Sequence, residues 1–207
     1  MMPETAAPFV VRGVRIVPGA LGSAAQQAVL TDLRDVIAAA PLFRPETARG
    51  RKMSVRMTSA GAVGWVTDRR GYRYEPRQRD GAAWPPIPEG ILSVWRALSD
   101  DDRSPDCCLV NRYGPKSRMG LHQDRDEGDF SHPVLSISLG DDALFRVGGS
   151  ERGGRTESVW LSSGDVVSLA GEARLAYHGI DRLRPGSSQL LAEPGRINLT
   201  LRVVEAV

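Results

Sequence analysis

The chain is poor in cysteine and histidine, has no long apolar run and carries little net charge. Its two cysteines, Cys107 and Cys108, are neighbours. A disulfide between adjacent residues is strained, and there is no framework of spaced cysteines. That excludes a disulfide-stapled scaffold and predicts reduced, buried thiols in a cytoplasmic protein. The opening stretch, Met1 to Ile16, lacks the apolar core of a secretory signal. No segment approaches the roughly 18 apolar residues that span a bilayer, so no membrane association is predicted. A formal net charge of +2 provides no global basic field. Nucleic-acid contact would therefore have to come from local clusters of arginine. With three histidines, His122, His132 and His178, any metal site must draw on few imidazoles.

What is present suits one globular domain with a subdomain or lid. The 207 residues are 41% hydrophobic and 25% charged, ordinary proportions that allow a sizeable core. Phe9 to Val17 reads as an opening strand interrupted by Gly13. Leu21 to Ala40 reads as a helix, with Leu30, Leu33, Val36 and Ile37 at helical spacing and Pro41 ending it. Ser23 followed by Gln26 matches a capping box. A shorter helix is predicted over Pro88 to Ser99, with Ile91, Leu92, Trp95 and Leu98 as its apolar stripe.

Residues 50 to 76 are rich in arginine, glycine and aromatics and read as hairpins and loops. Trp65, Tyr72 and Tyr74 lie among Arg56, Arg69, Arg70 and Arg73. Such interleaving suits stacking on bases beside phosphate contacts. It equally suits a hairpin whose aromatics cover the core and whose arginines face water. From Asp106 the pattern changes to short strands punctuated by glycine and proline, including Gly120 to Asp124, Val134 to Leu139 and Arg174 to His178. The fold class predicted is α+β, mainly β, with a jelly-roll core behind N-terminal helices.

Two patterns carry chemistry. His122 and Asp124 are separated by one residue, and in an extended strand such side chains share a face. His178, at a predicted strand end, is a third candidate ligand. Two imidazoles and one carboxylate would form the facial triad of non-heme Fe(II) oxygenases. The pair alone is common by chance. His132, before Pro133 in an acidic loop, reads as a surface residue. Arg196 to Arg202 is the second pattern: alternation puts Arg196, Asn198, Thr200 and Arg202 on one strand face. Two arginines buried on a core strand are costly unless anions pair with them, and a dicarboxylate would serve. Asn111 and Tyr113 share a strand face and could add hydrogen bonds. An edge strand with both arginines in water is the alternative.

The blocks Asn111-Arg112-Tyr113, Leu121-His122-Gln123-Asp124-Arg125-Asp126-Glu127, Ser136 to Gly140, Gly164 to Val167, Tyr177 to Ile180 and Arg196 to Arg202 resemble the bacterial AlkB family. Those proteins are Fe(II)/2-oxoglutarate-dependent dioxygenases that repair alkylated nucleobases. The resemblance runs in order from about Pro41 to Arg202 and includes Met53 to Thr58, Gly64-Trp65 and Gly71 to Tyr74. It implies a double-stranded β-helix core over 106–207, preceded over 1–105 by an N-terminal extension with helices and a nucleotide-recognition lid at about 50–76, in one compact unit. It implies iron held by His122, Asp124 and His178, and 2-oxoglutarate against Asn111, Tyr113, Arg196, Asn198 and Arg202, with O2 as oxidant. Arg196 would take the far carboxylate, and Arg202 and Asn111 would lie nearer the chelating end. Trp65, Tyr72, Tyr74, Asp126 and Arg152 would serve the substrate. That substrate would be alkylated DNA, single-stranded or flipped from a duplex, with RNA a further candidate. N1-methyladenine and N3-methylcytosine are the lesions implied, and a monomer is the simplest assembly.

This chain departs from the family pattern in three places: Arg125 stands where lysine is expected, Met119-Gly120 where Leu-Ser is expected, and the 148–155 segment differs in character, leaving Arg152 and Arg155 as alternatives for one role. Two other readings remain: an oxygenase acting on a protein side chain or small metabolite, and a non-catalytic nucleic-acid-binding module with a structural metal.

Overall fold

A computed structural model describes residues 6–47 and 50–204. The first turn shows how local chemistry builds the molecule. β1 (Phe9–Val11) and β2 (Val14–Val17) form a hairpin in place of one strand. Arg12 and Gly13, at φ 48° and 82°, make the two-residue turn between them. Both φ values are positive, as the twist of a tight hairpin requires.

The helix α1 (Ser23–Ala39) lies within the predicted Leu21 to Ala40, and its start differs. Gly22 occupies the N-cap without a side-chain bond, so no capping box forms. Gln26 instead donates to the Leu21 carbonyl and accepts from Ser163, tying the helix start to the loop before β11. The helix α2 (Glu89–Leu98) begins just after Pro88, whose fixed φ suits that position.

Three antiparallel sheets follow from the strands β3 (Arg56–Gly61), β4 (Gly64–Asp68), β5 (Gly71–Glu75), β6 (Cys107–Tyr113), β7 (Met119–His122), β8 (Val134–Gly140), β9 (Asp142–Val147), β10 (Glu157–Leu161), β11 (Val166–Leu169), β12 (His178–Arg184) and β13 (Arg196–Arg202). The large sheet runs β1-β2-β11-β8-β13-β6-β3, so it draws strands from both halves of the chain. The smaller sheet runs β10-β9-β12-β7, and β4 pairs with β5 alone. The architecture is the expected jelly roll, a double-stranded β-helix with helices on one face.

Alternation along β13 explains both layers of core. Ile197, Leu199 and Leu201 point to the helices and pack with Leu33, Ile91 and Trp95. Arg196, Asn198, Thr200 and Arg202 point the other way, into a cavity between the sheets. The two faces of one strand thus serve stability and chemistry separately.

Two boundaries differ from the sequence reading, and both matter for the site. β7 ends at His122, so Asp124 lies in the following loop and not on the strand. The segment before His178 is not a strand. Gly171–Ala173 forms a 3-10 turn there, and β12 begins at His178 itself. Gly179 lets β7 close on β12 at this point, since a Cβ there would lie 2.6 Å from the Met119 carbonyl oxygen.

Candidate active site

A cavity of about 440 Å³ opens between the two large sheets. At one wall, His122 and His178 are register partners on β7 and β12. The loop after β7 returns Asp124 to them. Its Oδ1 lies 3.8 Å from His122 Nε2 and its Oδ2 lies 3.7 Å from His178 Nε2. One ligand atom from each of the three lies within 4.8 Å of the others.

Each ring is oriented by its own backbone. His122 Nδ1 meets the Gly120 carbonyl and His178 Nδ1 meets the Ala176 carbonyl, both at 2.9 Å. A neutral imidazole that donates from Nδ1 presents an Nε2 lone pair to the cavity, the arrangement metal-ligating histidines use. Burial pulls His178 down to about 4, against the opposing pull of Asp124, so it is neutral near pH 7. For Asp124, burial by itself would raise the pKa. Arg202, His178 and His122 outweigh it and hold the carboxyl below its ordinary range.

Arg202 is held more tightly than expected. Its Nη2 lies 2.7 Å from Asp124 Oδ1, and its Nη1 donates to the Tyr74 hydroxyl at 3.2 Å. Its Nε sits 3.2 Å from Glu127 Oε1, close enough for charge pairing but not aligned as a hydrogen bond. Arg202 therefore braces the carboxylate of the triad and still lines the cavity.

Arg196 is the opposite case. It is 2% exposed and lies across from Tyr113 in the β13–β6 register. Nη2 donates to Ser138 Oγ at 2.8 Å, while Nε and Nη1 have no hydrogen-bond partner. Among the described residues no carboxylate lies within ion-pairing distance of it. The Tyr113 ring lies 5.3 Å from its guanidinium carbon, and burial pulls its pKa down. Next along the strand, Asn198 faces Asn111, whose Nδ2 donates to Asn198 Oδ1 at 3.4 Å while its own Oδ1 is unpaired.

The rim comes from β4 and β5. Trp65, 9% exposed, donates from Nε1 to Asp126 Oδ2 at 2.9 Å. Tyr72, 51% exposed, stacks on Trp65 with ring centroids 5.3 Å apart and planes 19° from parallel. Trp65 packs into the core, as a hairpin that covers the core would have it, and Tyr72 presents an aromatic face to solvent. Trp65, Tyr72 and Asp126 line the cavity. Tyr74 lies behind it, donating to Glu127 Oε1 at 2.6 Å. Arg152 is exposed in the loop after β9, outside the cavity lining.

The sequence reading assigned no part to Glu127 and Arg174, both almost fully buried. Arg174 donates to the Asp124 carbonyl at 2.7 Å, to the His132 carbonyl at 2.8 Å and to Glu127 Oε2 at 3.1 Å. It joins the loop that carries Asp124 to the turn that precedes His178. His132 also differs from expectation. It is largely covered, and its Nδ1 lies 2.5 Å from Asp101 Oδ2.

These features define an oxygenase site on a jelly roll, and the chain matches the 2OG-Fe(II) oxygenase superfamily over residues 13–202. An Alpha-ketoglutarate-dependent dioxygenase AlkB homolog from Caulobacter vibrioides is 52% identical over 194 residues, covering 93% of this chain and 88% of that protein. Alpha-ketoglutarate-dependent dioxygenase AlkB from Escherichia coli K12 is 40% identical over 185 residues, with coverage of 87% and 85%. The solved structure of OsALKBH1 superposes with a TM-score of 0.79 at 30% identity, covering 94% of this chain and 99% of that one. The chain therefore belongs to the AlkB family of Fe(II)/2-oxoglutarate-dependent dioxygenases. Its cofactor is Fe(II), its cosubstrate 2-oxoglutarate and its oxidant O2.

Proposed function

We propose that this enzyme demethylates N-alkylated nucleobases, N1-methyladenine and N3-methylcytosine, in DNA, with RNA a further substrate. The observation that carries the oxygenase half is Arg196, a buried guanidinium with two unpaired nitrogens facing a cavity that also holds the triad. A buried charge without a partner is expensive, and a ligand carboxylate relieves that cost. A dicarboxylate such as 2-oxoglutarate would let Arg196 hold one carboxylate while the other end lies toward His122, Asp124 and His178.

The residues fit iron and 2-oxoglutarate. His122, Asp124 and His178 offer two imidazole nitrogens and a carboxylate oxygen, leaving positions for cosubstrate and O2. When bound, iron with 2-oxoglutarate and O2 supplies the oxidation of an N-methyl group, which leaves as formaldehyde alongside succinate and CO2. The chain contributes placement. Arg196 and Tyr113 hold the far carboxylate in bidentate reach. Asn111, Asn198 and Arg202 line the way back to the triad, and Arg202 also keeps Asp124 ionised.

For the substrate half, the Trp65–Tyr72 edge offers an aromatic platform beside the Asp126 carboxylate. A methylated base that is cationic gains from both. Methylation at the pairing edge also makes such a base cheaper to extrude from a duplex, and a single strand costs less still. Arg69 and Arg70, in the turn between β4 and β5, and Lys52, next to Met53, suit phosphate contacts, which position without reading sequence. Arg152, exposed in the loop after β9, is kept as a candidate contact to the base or its backbone. Among the described residues no helix is long and apolar enough to cross a membrane. The free, buried cysteines fit a reducing compartment, and we assign the enzyme to the cytoplasm as a monomer.

The test is succinate release with and without a methylated oligonucleotide, Fe(II) and 2-oxoglutarate. Release that needs both cofactors, rises with the oligonucleotide and yields formaldehyde is the expected result. Release without stimulation by any nucleic acid would move the substrate to a protein side chain or metabolite. No release at all would leave a binding module.

A further inference from the structure

The loop after β7 winds around one side chain, Arg174. The Asp124 carbonyl meets its Nη1, the Glu127 carboxylate its Nη2 and the His132 carbonyl its Nε. The Phe130 ring covers a face, its centre 5.4 Å from the guanidinium carbon. A guanidinium is a planar, rigid fork, so fixing two of its edges fixes the direction of the third. Where Asp124 stands is thus tied to where the His132 carbonyl stands.

His132 is itself held from outside the loop. Its Nδ1 lies 2.5 Å from Asp101 Oδ2, and a carboxylate only accepts, so the ring donates there. Asp101 is fixed in turn. Its Oδ1 accepts from the Arg103 main-chain nitrogen at 2.8 Å, and the Arg103 carbonyl accepts from Nε1 of Trp95, a buried residue of α2, at 2.9 Å. The other ring nitrogen, Nε2, lies 3.7 Å from Asp129 Oδ2. The His132 and Asp101 side chains are 14% and 11% exposed, so water competes little for the contact between them. A histidine solvated on an acidic loop would have none of these constraints.

Resting on the oxygenase reading above, we propose that His132, pinned by Asp101, is a positioning residue for the proposed ligand Asp124, acting through Arg174. Neither His132 nor Asp101 lines the cavity or joins the triad. Their part is to order the loop before iron arrives. A carboxylate already placed between His122 and His178 binds a metal more tightly than one that must be ordered on binding. The Arg196 end of the cavity rests on β13 and its sheet register, a separate support, so the cosubstrate contacts are left as they are.

The experiment compares the full chain with His132→Ala, His132→Asn, Asp101→Ala and the double alanine variant, each below its melting range. Fe(II) titration, read by the absorbance that develops with 2-oxoglutarate, gives the affinity. Hydrogen exchange of the metal-free chain gives the order of the loop. His132→Ala and Asp101→Ala should each weaken Fe(II) binding about tenfold, the lower end of what the outer partners of metal ligands contribute, and speed exchange over 124–132. Asparagine sets an amide nitrogen near the place of Nδ1, so His132→Asn should recover most of the loss. The double variant should match the singles, because each breaks the same contact. KM for 2-oxoglutarate at saturating iron should stay at the parental value. Should His132→Ala fail to fold, Asp101→Ala and His132→Asn carry the same comparison. Parental Fe(II) affinity in the alanine variants, an asparagine variant no better than alanine, additive losses in the double, or a KM that rises with the loss of iron would overturn this inference alone. A parent chain that binds no Fe(II) would overturn the oxygenase reading and this inference with it.

Discussion

His122 and His178 face each other as register partners on β7 and β12, with ring centroids 4.6 Å apart. Their backbone carbonyl partners aim both Nε2 atoms at Asp124. Removing either a ring or the carboxylate would leave two of the three proposed ligands, and two do not make a facial site. His122→Ala and Asp124→Ala are expected to abolish demethylation and to weaken Fe(II) binding at least tenfold. Metal titration with a parallel formaldehyde assay checks both. Full activity in either variant with iron present would overturn the triad.

Arg196 yields a prediction with two opposite signs. Without cosubstrate its guanidinium is buried and underpaired, so Arg196→Met should leave the free protein as stable or raise its Tm. In the complex the same change removes a charge-assisted pair. The loss expected is about 3 kcal/mol, roughly a hundredfold in KM for 2-oxoglutarate. Thermal melts with and without 2-oxoglutarate read both effects. A variant that is destabilised and yet keeps its KM would mean that the arginine is structural.

How far the sequence led depended on whether a pattern is local. The β13 alternation was legible because period-two spacing sorts Arg196 to Arg202 onto two faces by itself. The triad was legible as residues, but its geometry was not. Asp124 reaches the histidines from a loop, and His178 follows a 3-10 turn, so neither relies on the strand spacing that suggested them. Arg174 and Glu127 carried no local signal of their pairing. Arg174 reads as the first residue of a short strand and Glu127 as the end of the Leu121–Glu127 block, and neither reading shows that the fold brings them 3.1 Å apart. The Trp65–Asp126 bond spans 61 positions, which no spacing rule reaches.

The Arg174–Glu127 pair ties the loop that carries Asp124 to the turn that precedes His178. Breaking a buried pair by removing one partner typically costs about 3–5 kcal/mol, because the remaining charge is stranded. Arg174→Met is expected to lose stability on that scale, read by denaturant titration. It should also weaken iron binding, since the Asp124 carbonyl loses its donor. The double variant Arg174→Met with Glu127→Leu should recover part of the stability. A double variant no better than the sum of the singles would mean that the two do not act as a pair.

Cys107 supplies a pH dependence. Burial pushes its thiol up to about 12, with Arg202 pulling the other way. The folded state therefore keeps a proton that the unfolded state has lost between about pH 9 and pH 12. The associated stability is fully present below pH 9 and falls as pH rises, by about 1.4 kcal/mol per unit for one thiol. Tyr74 and Tyr113, also pushed up by burial, act in the same direction at higher pH. The Cys107→Ala chain should lose less stability than the parent between pH 7.5 and pH 10. In the native parent at pH 8 neither cysteine should react with a disulfide reagent, while the unfolded chain should show both.

Trp65 combines two contacts that substitution can separate. Its ring stacks with Tyr72 and its Nε1 holds Asp126. Trp65→Ala removes both, and should weaken binding of a methylated oligonucleotide by about 1–3 kcal/mol. Succinate release uncoupled from repair should persist, since the triad and Arg196 are untouched. Trp65→Phe keeps an aromatic face and frees Asp126. If the platform dominates, Phe retains most of the affinity. If the carboxylate's position dominates, Phe behaves like Ala and discrimination between cationic and neutral bases collapses with it. Oligonucleotide titrations with methylated and unmethylated bases decide between the two, and unchanged affinity in Trp65→Ala would remove this edge from the substrate site.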